Sequence, residues 1–323
     1  MSGLAPGRGR HGQRRGTRAA RGAWKRMAFA IAIGASAAVA LPSAAHAQVE
    51  MVTTVEKLSA ATHFHGIAVD PQDSARILLA THHGIFAVAA DGRARRVSLV
   101  EDDFMGFARA SGEAQLLVAS GHPAGGGNLG FLASNDGGRN WRQLSPGIDG
   151  PVDFHQIAVS PHDPSLIFGV HHRTLQMSQD GGRNWTIAAP APPEILDLAA
   201  SAKDANTLYA AARTGLFKSQ DRGRSWTRAH ETAAPATAVH VRSSGEVLAF
   251  MAGTGLVAAS EPELKWRVVG PGWGGGLIVH LDSDPGDPSN LVAIATRPSH
   301  GQAVIASRDG GKSWSQVGAP KKP

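Results

Sequence analysis

Apolar residues in this chain come in short runs, each stopped by a turn-forming residue, and the runs recur in a fixed order. His65-Gly66-Ile67-Ala68-Val69-Asp70-Pro71 matches His155-Gln156-Ile157-Ala158-Val159-Ser160-Pro161, and Leu196-Asp197-Leu198-Ala199-Ala200-Ser201 is a weaker version. A second run follows each, at Ile77–Ala80, Ile167–Val170 and Leu208–Ala211, and then a third, as at Gly84–Val88 and Gly215–Lys218. Brief apolar stretches bounded by Gly, Pro, Asp and Ser predict strands joined by tight turns. No helical period of any length alternates with them, so the pattern predicts an all-β chain.

The turn after the third run is itself a motif. Ser134–Trp141, Ser178–Trp185, Ser219–Trp226 and Ser307–Trp314 all read S-x-D-x-G-x-[NS]-W. Asp offers an acceptor to the N–H groups of its own turn, Gly permits positive φ where the chain reverses, and Trp starts the next strand as a large apolar anchor. The interval from Ser219 to Ser307 is double the others, which predicts a further copy near residue 260. Ser260–Trp266 is there, one residue short and without its Asp, and Asp91-Gly92 marks an eroded sixth copy. Six units of roughly 40–47 residues, with four strands each, predict a single β-propeller of about six four-stranded blades over 48–318, followed by a tail at 319–323. A seventh blade would need hidden partners for Val49–Leu58, and the length favours six. Either Val49–Leu58 or Trp314–Val317 is expected to supply an outer strand that closes the ring.

The motif resembles the Asp-box, or BNR, repeat of sialidases, sortilins and many secreted bacterial propellers, and the likeness spans the whole of 48–318. It implies the propeller fold, with box hairpins set away from the working face. It implies no particular activity. Sialidases use a tyrosine nucleophile and a Phe/Tyr-Arg-Ile-Pro motif. That motif is missing here, and the one tyrosine, Tyr209, reads as part of a buried second strand.

Charge changes the picture only once the N-terminus is set aside. Eight of the 32 Lys and Arg lie before residue 48 with no acid among them, which leaves 24 bases against 26 acids and removes any basic nucleic-acid footprint. Residues 1–47 read as a secretion signal: a basic region ending at Arg26, an apolar run from Met27 to Leu41, and Ala45-His46-Ala47 as the cleavage site. Arg14-Arg15 fits a twin-arginine signal poorly, so ordinary secretion is expected, to the periplasm or beyond. The apolar run is short for a membrane span, and no later segment reads as one. There is no cysteine, which excludes disulfides and thiolate chemistry.

Aligning the first runs on Ile67, Phe107 and Ile157 gives one column of His63, Asp103 and Asp153, and two residues on a column of His65, Met105 and His155. Residues two apart on a strand share a face. Blades 4 to 6 offer Leu196 and Val279 at the second column, so the fold does not require polar groups there. His82 aligns with His172 and Arg213, with His83, His171 and His122 beside them, on the same predicted face. His63, His65, Met105, Asp103, Asp153 and His155 therefore form a candidate metal set. Imidazoles with carboxylates suit zinc, and a thioether among them suits copper. The bland alternative is a hydrogen-bonded channel lining. His82, His122, His172 and Trp273 are candidate ligand contacts. Trp141, Trp185, Trp226 and Trp314 hold fixed places in the repeat and read as core anchors. The Asp282–Pro288 segment reads as turn chemistry rather than a Ca²⁺ loop. Three classes of function stay open: a binding protein for a metal ion or small ligand, a glycoside hydrolase acting on a glycan through Asp103 and Asp153, and an interaction platform for envelope proteins.

Overall fold

The runs are strands, and the computed structural model describes them over residues 52–110, 116–297 and 301–319. The expected leader, its cleavage site after Ala47 and the end of the tail lie outside the described residues. Six antiparallel sheets follow one another along the chain, each built from consecutive strands. They are the six blades of a β-propeller, at 52–96, 103–145, 156–190, 195–228, 236–270 and 277–316. The innermost strands are Phe64–Val69, Asp103–Arg109, Gln156–Val159, Ile195–Ala200, Ala236–Val241 and Leu277–Ser283. Residues from all six line a narrow central channel.

Second and third strands are pressed between neighbouring blades on both faces, so they read as continuous apolar runs rather than alternating ones. Tyr209 is fully buried on such a strand, as its sequence context predicts, and its hydroxyl donates to Glu261 Oε1 at 2.9 Å. Burial and the Glu261 carboxylate push its pKa upward, which disfavours a phenolate there.

The repeated hairpin explains its own residues. In Ser178–Trp185, Ser178 Oγ accepts from Gly182 N at 2.8 Å, and Asp180 Oδ1 accepts from Asn184 N at 2.9 Å. Asn184 Nδ2 donates to Asp180 Oδ2 at 2.6 Å. Gly182 has φ of 86°, and an added Cβ would stand 2.1 Å from Phe131 of the preceding blade. The indoles then wedge one blade against the one before. Trp185 packs on Phe131 and Phe154, and Trp141 on Phe104 and Phe107. These are core anchors, as their place in the repeat predicts.

Ring closure follows one expected route only in part: the Val49–Leu58 segment does supply an outer strand, but that strand does not itself join the two end blades. Val52–Thr54 is a fifth, outer strand of blade 1, and Ser315–Gln316 is the outer strand of its own blade 6. Neither is exchanged between blades. The junction of blades 6 and 1 is instead filled by a short helix, Val55–Ala61, which the strand pattern did not predict. Blade 1 is the unit whose hairpin lacks a Trp. Val55 and Leu58 of the helix enter the apolar cluster shared with Val292, Ile294, Val304 and Val317. Thr54 caps the helix by accepting from Lys57 N at 3.3 Å. Gln302 clasps the same junction, accepting from Phe64 N at 2.7 Å and donating to Phe64 O at 3.0 Å.

Candidate functional site

Antiparallel order places the start of each innermost strand and the hairpin between the second and third strands at one end of the blade. The innermost strands share a further device at that end. Pairing slips by one residue between Phe64 and Gly66, Phe104 and Gly106, Ile195 and Asp197, Ala236 and Ala238, and Ile278 and His280. The extra residues are His65, Met105, Leu196, Thr237 and Val279. In blade 3 the matching residue is His155, whose N–H reaches Val170 O at 3.3 Å just ahead of the strand. A bulge re-aims a side chain at the rim of a sheet. The second column of the sequence alignment is thus the bulge column.

Pairing also fixes the hairpin residues. Asp103 lies opposite His122. Extending the equivalent pairs puts His82 opposite His63, and His172 opposite Asp153. His82, His122 and His172 occupy one position of the repeat.

At the junction of blades 1 and 2 these positions meet. His65 Nε2 lies 3.1 Å from His82 Nε2, and His82 Nδ1 lies 2.9 Å from Asp103 Oδ2. A ligand atom from each of the three falls within 4.8 Å of the others. Asp103 Oδ1 is buried without a hydrogen-bond partner. Burial, then the neighbouring His82, lowers the His65 pKa to about 4, so its lone pair stays available. His63 stands beside this group, its ring centroid 5.7 Å from that of His82.

At the junction of blades 2 and 3, Asp153 is the hub. Its Oδ2 lies 2.7 Å from His155 Nε2 and 3.2 Å from His122 Nε2. His171, rather than the aligned His172, turns in to the Asp153 backbone, with Nδ1 2.8 Å from the carbonyl. Asp153 Oδ1 is again buried without a partner. Burial works to raise the Asp153 pKa, but the His155 hydrogen bond and the charges of His155, His122 and His171 outweigh it and hold the carboxyl below its ordinary range. The same bond raises His155, against its partial burial. The equivalent register positions put the two clusters on one face, and His155 adds a small lowering effect on His65. Met105 holds the bulge position of the blade between them.

At the junction of blades 3 and 4 the same three positions are His155, His172 and Glu194, and they line an open cleft of about 380 Å³. His172 and Glu194 both adopt positive φ, 47° and 54°. Glu194 escaped the sequence reading, although it sits two residues before Leu196 and so extends the column of His63, Asp103 and Asp153. Trp273 is not drawn into these clusters. The Arg297 guanidinium lies 4.1 Å over its ring, and the indole packs against the core of blades 5 and 6.

Deeper in the channel are His240 and His280, which the sequence reading passed over. His240 Nε2 lies 2.8 Å from Ser283 Oγ. Burial holds His280 down to about 4. Asp282 accepts from Val69 N across the ring closure at 2.9 Å, and Asp284 accepts from Gly286 N at 2.8 Å. Asp284 closes its own turn, as turn chemistry predicts, whereas Asp282 ties blade 6 to blade 1.

The fold and this face define a six-bladed β-propeller with histidines and carboxylates at one mouth of its channel. No protein-family profile and no curated protein matches the sequence. Solved propellers do match the fold. One is the GH74 xyloglucanase from Xanthomonas campestris, 20% identical with a TM-score of 0.54 over 83% of this chain and 46% of that one. Another is the GH74 enzyme of Niastella koreensis, 16% identical with a TM-score of 0.55 over 79% and 45%. A third is the extracellular domain of a B. thetaiotaomicron protein ascribed to a hybrid two component system, 12% identical with a TM-score of 0.53 over 83% and 34%. The chain spans less than half the length of each. Among the described residues no helix is long and apolar enough to cross a membrane.

Proposed function

We propose that this is an exported metal-binding propeller, periplasmic or secreted and akin to the Asp-box proteins, whose metal sits between His65, His82 and Asp103. The observation that carries the reading is the convergence of three ligand atoms from two blades within 4.8 Å of one another. The buried, unpartnered Asp103 oxygen adds to it, because a cation there compensates a carboxylate withdrawn from water. Two imidazoles and a carboxylate with a remaining open position suit zinc, and suit copper in its divalent state. A small ligand, a glycan or a segment of an envelope protein could complete the coordination of a metal held by these three residues.

The hydrolase reading is less well supported. A glycosidase acid must hold its proton near neutral pH, and Asp153 is pushed the other way. Asp103 and Asp153 also occupy one repeated position and each contact imidazoles, which fits ligation better than a split acid and base.

The test is metal retention. Purified protein is loaded with Zn²⁺ or Cu²⁺, dialysed and assayed for bound metal. Stoichiometric metal that is lost in the His65→Ala/His82→Ala double variant supports the reading. Metal retained unchanged by that variant overturns it.

A further inference from the structure

Toward the other end of the innermost strands the blades depart from their own repeat. Three residues beyond the bulge position, blades 1 to 4 carry Ala68, Ala108, Ala158 and Ala199, whereas blades 5 and 6 carry His240 and Asp282. One residue further on, the six blades carry Val69, Arg109, Val159, Ala200, Val241 and Ser283. The fold therefore needs only small or apolar groups at these two positions. The four polar exceptions, His240, Asp282, Arg109 and Ser283, come together in space.

Ser283 Oγ lies 2.8 Å from His240 Nε2. On the other side of the ring, His240 Nδ1 lies 3.8 Å from Asp282 Oδ1. Arg109 Nη2 stands 3.4 Å from that same oxygen and 3.4 Å from Ser283 O. Asp282 Oδ2 accepts from Val69 N at 2.9 Å, which fixes the carboxylate. A proton on Nδ1 directed at Asp282 leaves Nε2 to accept from the serine hydroxyl, the order of nucleophile, base and orienting carboxylate. The Nδ1–Oδ1 distance is longer than a hydrogen bond, and such contacts tighten when substrate binds. Burial holds His240 below its ordinary pKa, so the ring is neutral and able to take a proton near neutral pH.

Ser283 and His240 line a cleft of about 560 Å³, a size suited to a small molecule, at the ends of the innermost strands and opposite the metal face. Arg109 and Arg242 line it too, and both charges act on His240. Positive charge beside the nucleophile favours a developing oxyanion.

We propose that Ser283, His240 and Asp282 form a serine esterase site in this cleft, with a small carboxylic ester as substrate. Ser283 Oγ attacks the ester carbonyl carbon and passes its proton to His240 Nε2. The bond to the leaving oxygen then breaks, His240 returns the proton to it, and an alcohol departs. Water attacks the acyl-serine with His240 as base, the bond to Ser283 Oγ breaks, and the carboxylic acid and the serine hydroxyl are released. Ser283 and His240 are the catalytic residues, and Asp282 is a positioning residue. No metal at the other face is needed.

The test treats the purified protein with a fluorophosphonate, which transfers its phosphonyl group to an activated serine with loss of fluoride, and locates the adduct by peptide mass. One equivalent on Ser283 is expected, and none in Ser283→Ala. His240→Ala should slow both labelling and 4-nitrophenyl acetate hydrolysis by about a hundredfold or more. Asp282→Asn should move the pH midpoint of labelling downward, because Asp282 raises the His240 pKa against burial and the Arg109 and Arg242 charges. A purely structural Asp282 would leave that midpoint in place, and an unmoved midpoint removes Asp282 from the site. Because the adduct is mapped in the parent protein, the central result does not depend on how the variants fold. No adduct, an adduct on another residue only, or labelling of Ser283 that His240→Ala does not slow overturns the proposal.

Discussion

Leu58→Ala should open the ring at its seam. Five blade junctions are wedged by an indole, from Trp141, Trp185, Trp226, Trp266 and Trp314. The junction of blades 6 and 1 has Val55 and Leu58 instead. Leu58 is 5% exposed, so its truncation removes nearly the whole transfer contribution and leaves a cavity between two blades. Such changes cost about 2–5 kcal/mol. The helix has only seven residues and ends in no basic turn, so it has little stability apart from its docking. The lower part of that range, about 2–3 kcal/mol, is therefore expected, because the helix can undock rather than hold a cavity. The assay is urea unfolding followed by tryptophan fluorescence. Lys57→Ala, on the exposed side of the same helix, is the control and should stay within about 0.5 kcal/mol of the parent. Equal midpoints for the two variants would refute the idea that the helix replaces the missing tryptophan.

Other consequences are equally direct. Gly106→Ala should cost about 3 kcal/mol or more by thermal melting, because an added Cβ would stand 2.1 Å from Phe154 O, a backbone atom that cannot step aside. Tyr209→Phe should cost about 1–3 kcal/mol through loss of the half-buried Glu261 contact, and should leave metal binding unchanged in the dialysis assay. The hairpin aspartates predict an acid limb. Asp180 and Asp221 are each held down to about 2 by hydrogen bonds within their turns, so their contribution is complete above the ordinary carboxylate pKa and is lost as pH falls toward 2. Melting temperature measured across that window should fall less steeply in Asp180→Asn than in the parent.

Much of the fold was legible because the chain writes it six times. Errors in any one unit are corrected by the others, which is how the degenerate Ser260–Trp266 copy and the eroded Asp91-Gly92 turn could be placed. What occurs once was not legible. The helix Val55–Ala61 is too short to show a period, and its capping Thr54 is an unremarkable residue in sequence. It is needed because blade 1 lacks its tryptophan, a negative feature that becomes informative only beside the other five junctions. The candidate face was legible in its columns but not in its geometry. Two-residue spacing put His63 and His65 on one side, whereas the bulge aims His65 at His82 and leaves His63 beside them. Of the six candidate metal residues, His65 and Asp103 meet at one junction with His63 beside them, and Asp153 and His155 meet at the next, a separation that register settles and composition does not. Glu194 was missed because blade 4 carries Leu196 at the bulge, and an apolar residue there drew attention away from its neighbour.

The most direct test is anomalous scattering from crystals of the protein grown with Zn²⁺ and measured at the zinc edge. The account predicts a peak bounded by His65, His82 and Asp103, with both imidazoles and the carboxylate at coordination distance. A well-ordered structure with no peak there, and with His82 still hydrogen-bonded to Asp103, would contradict it.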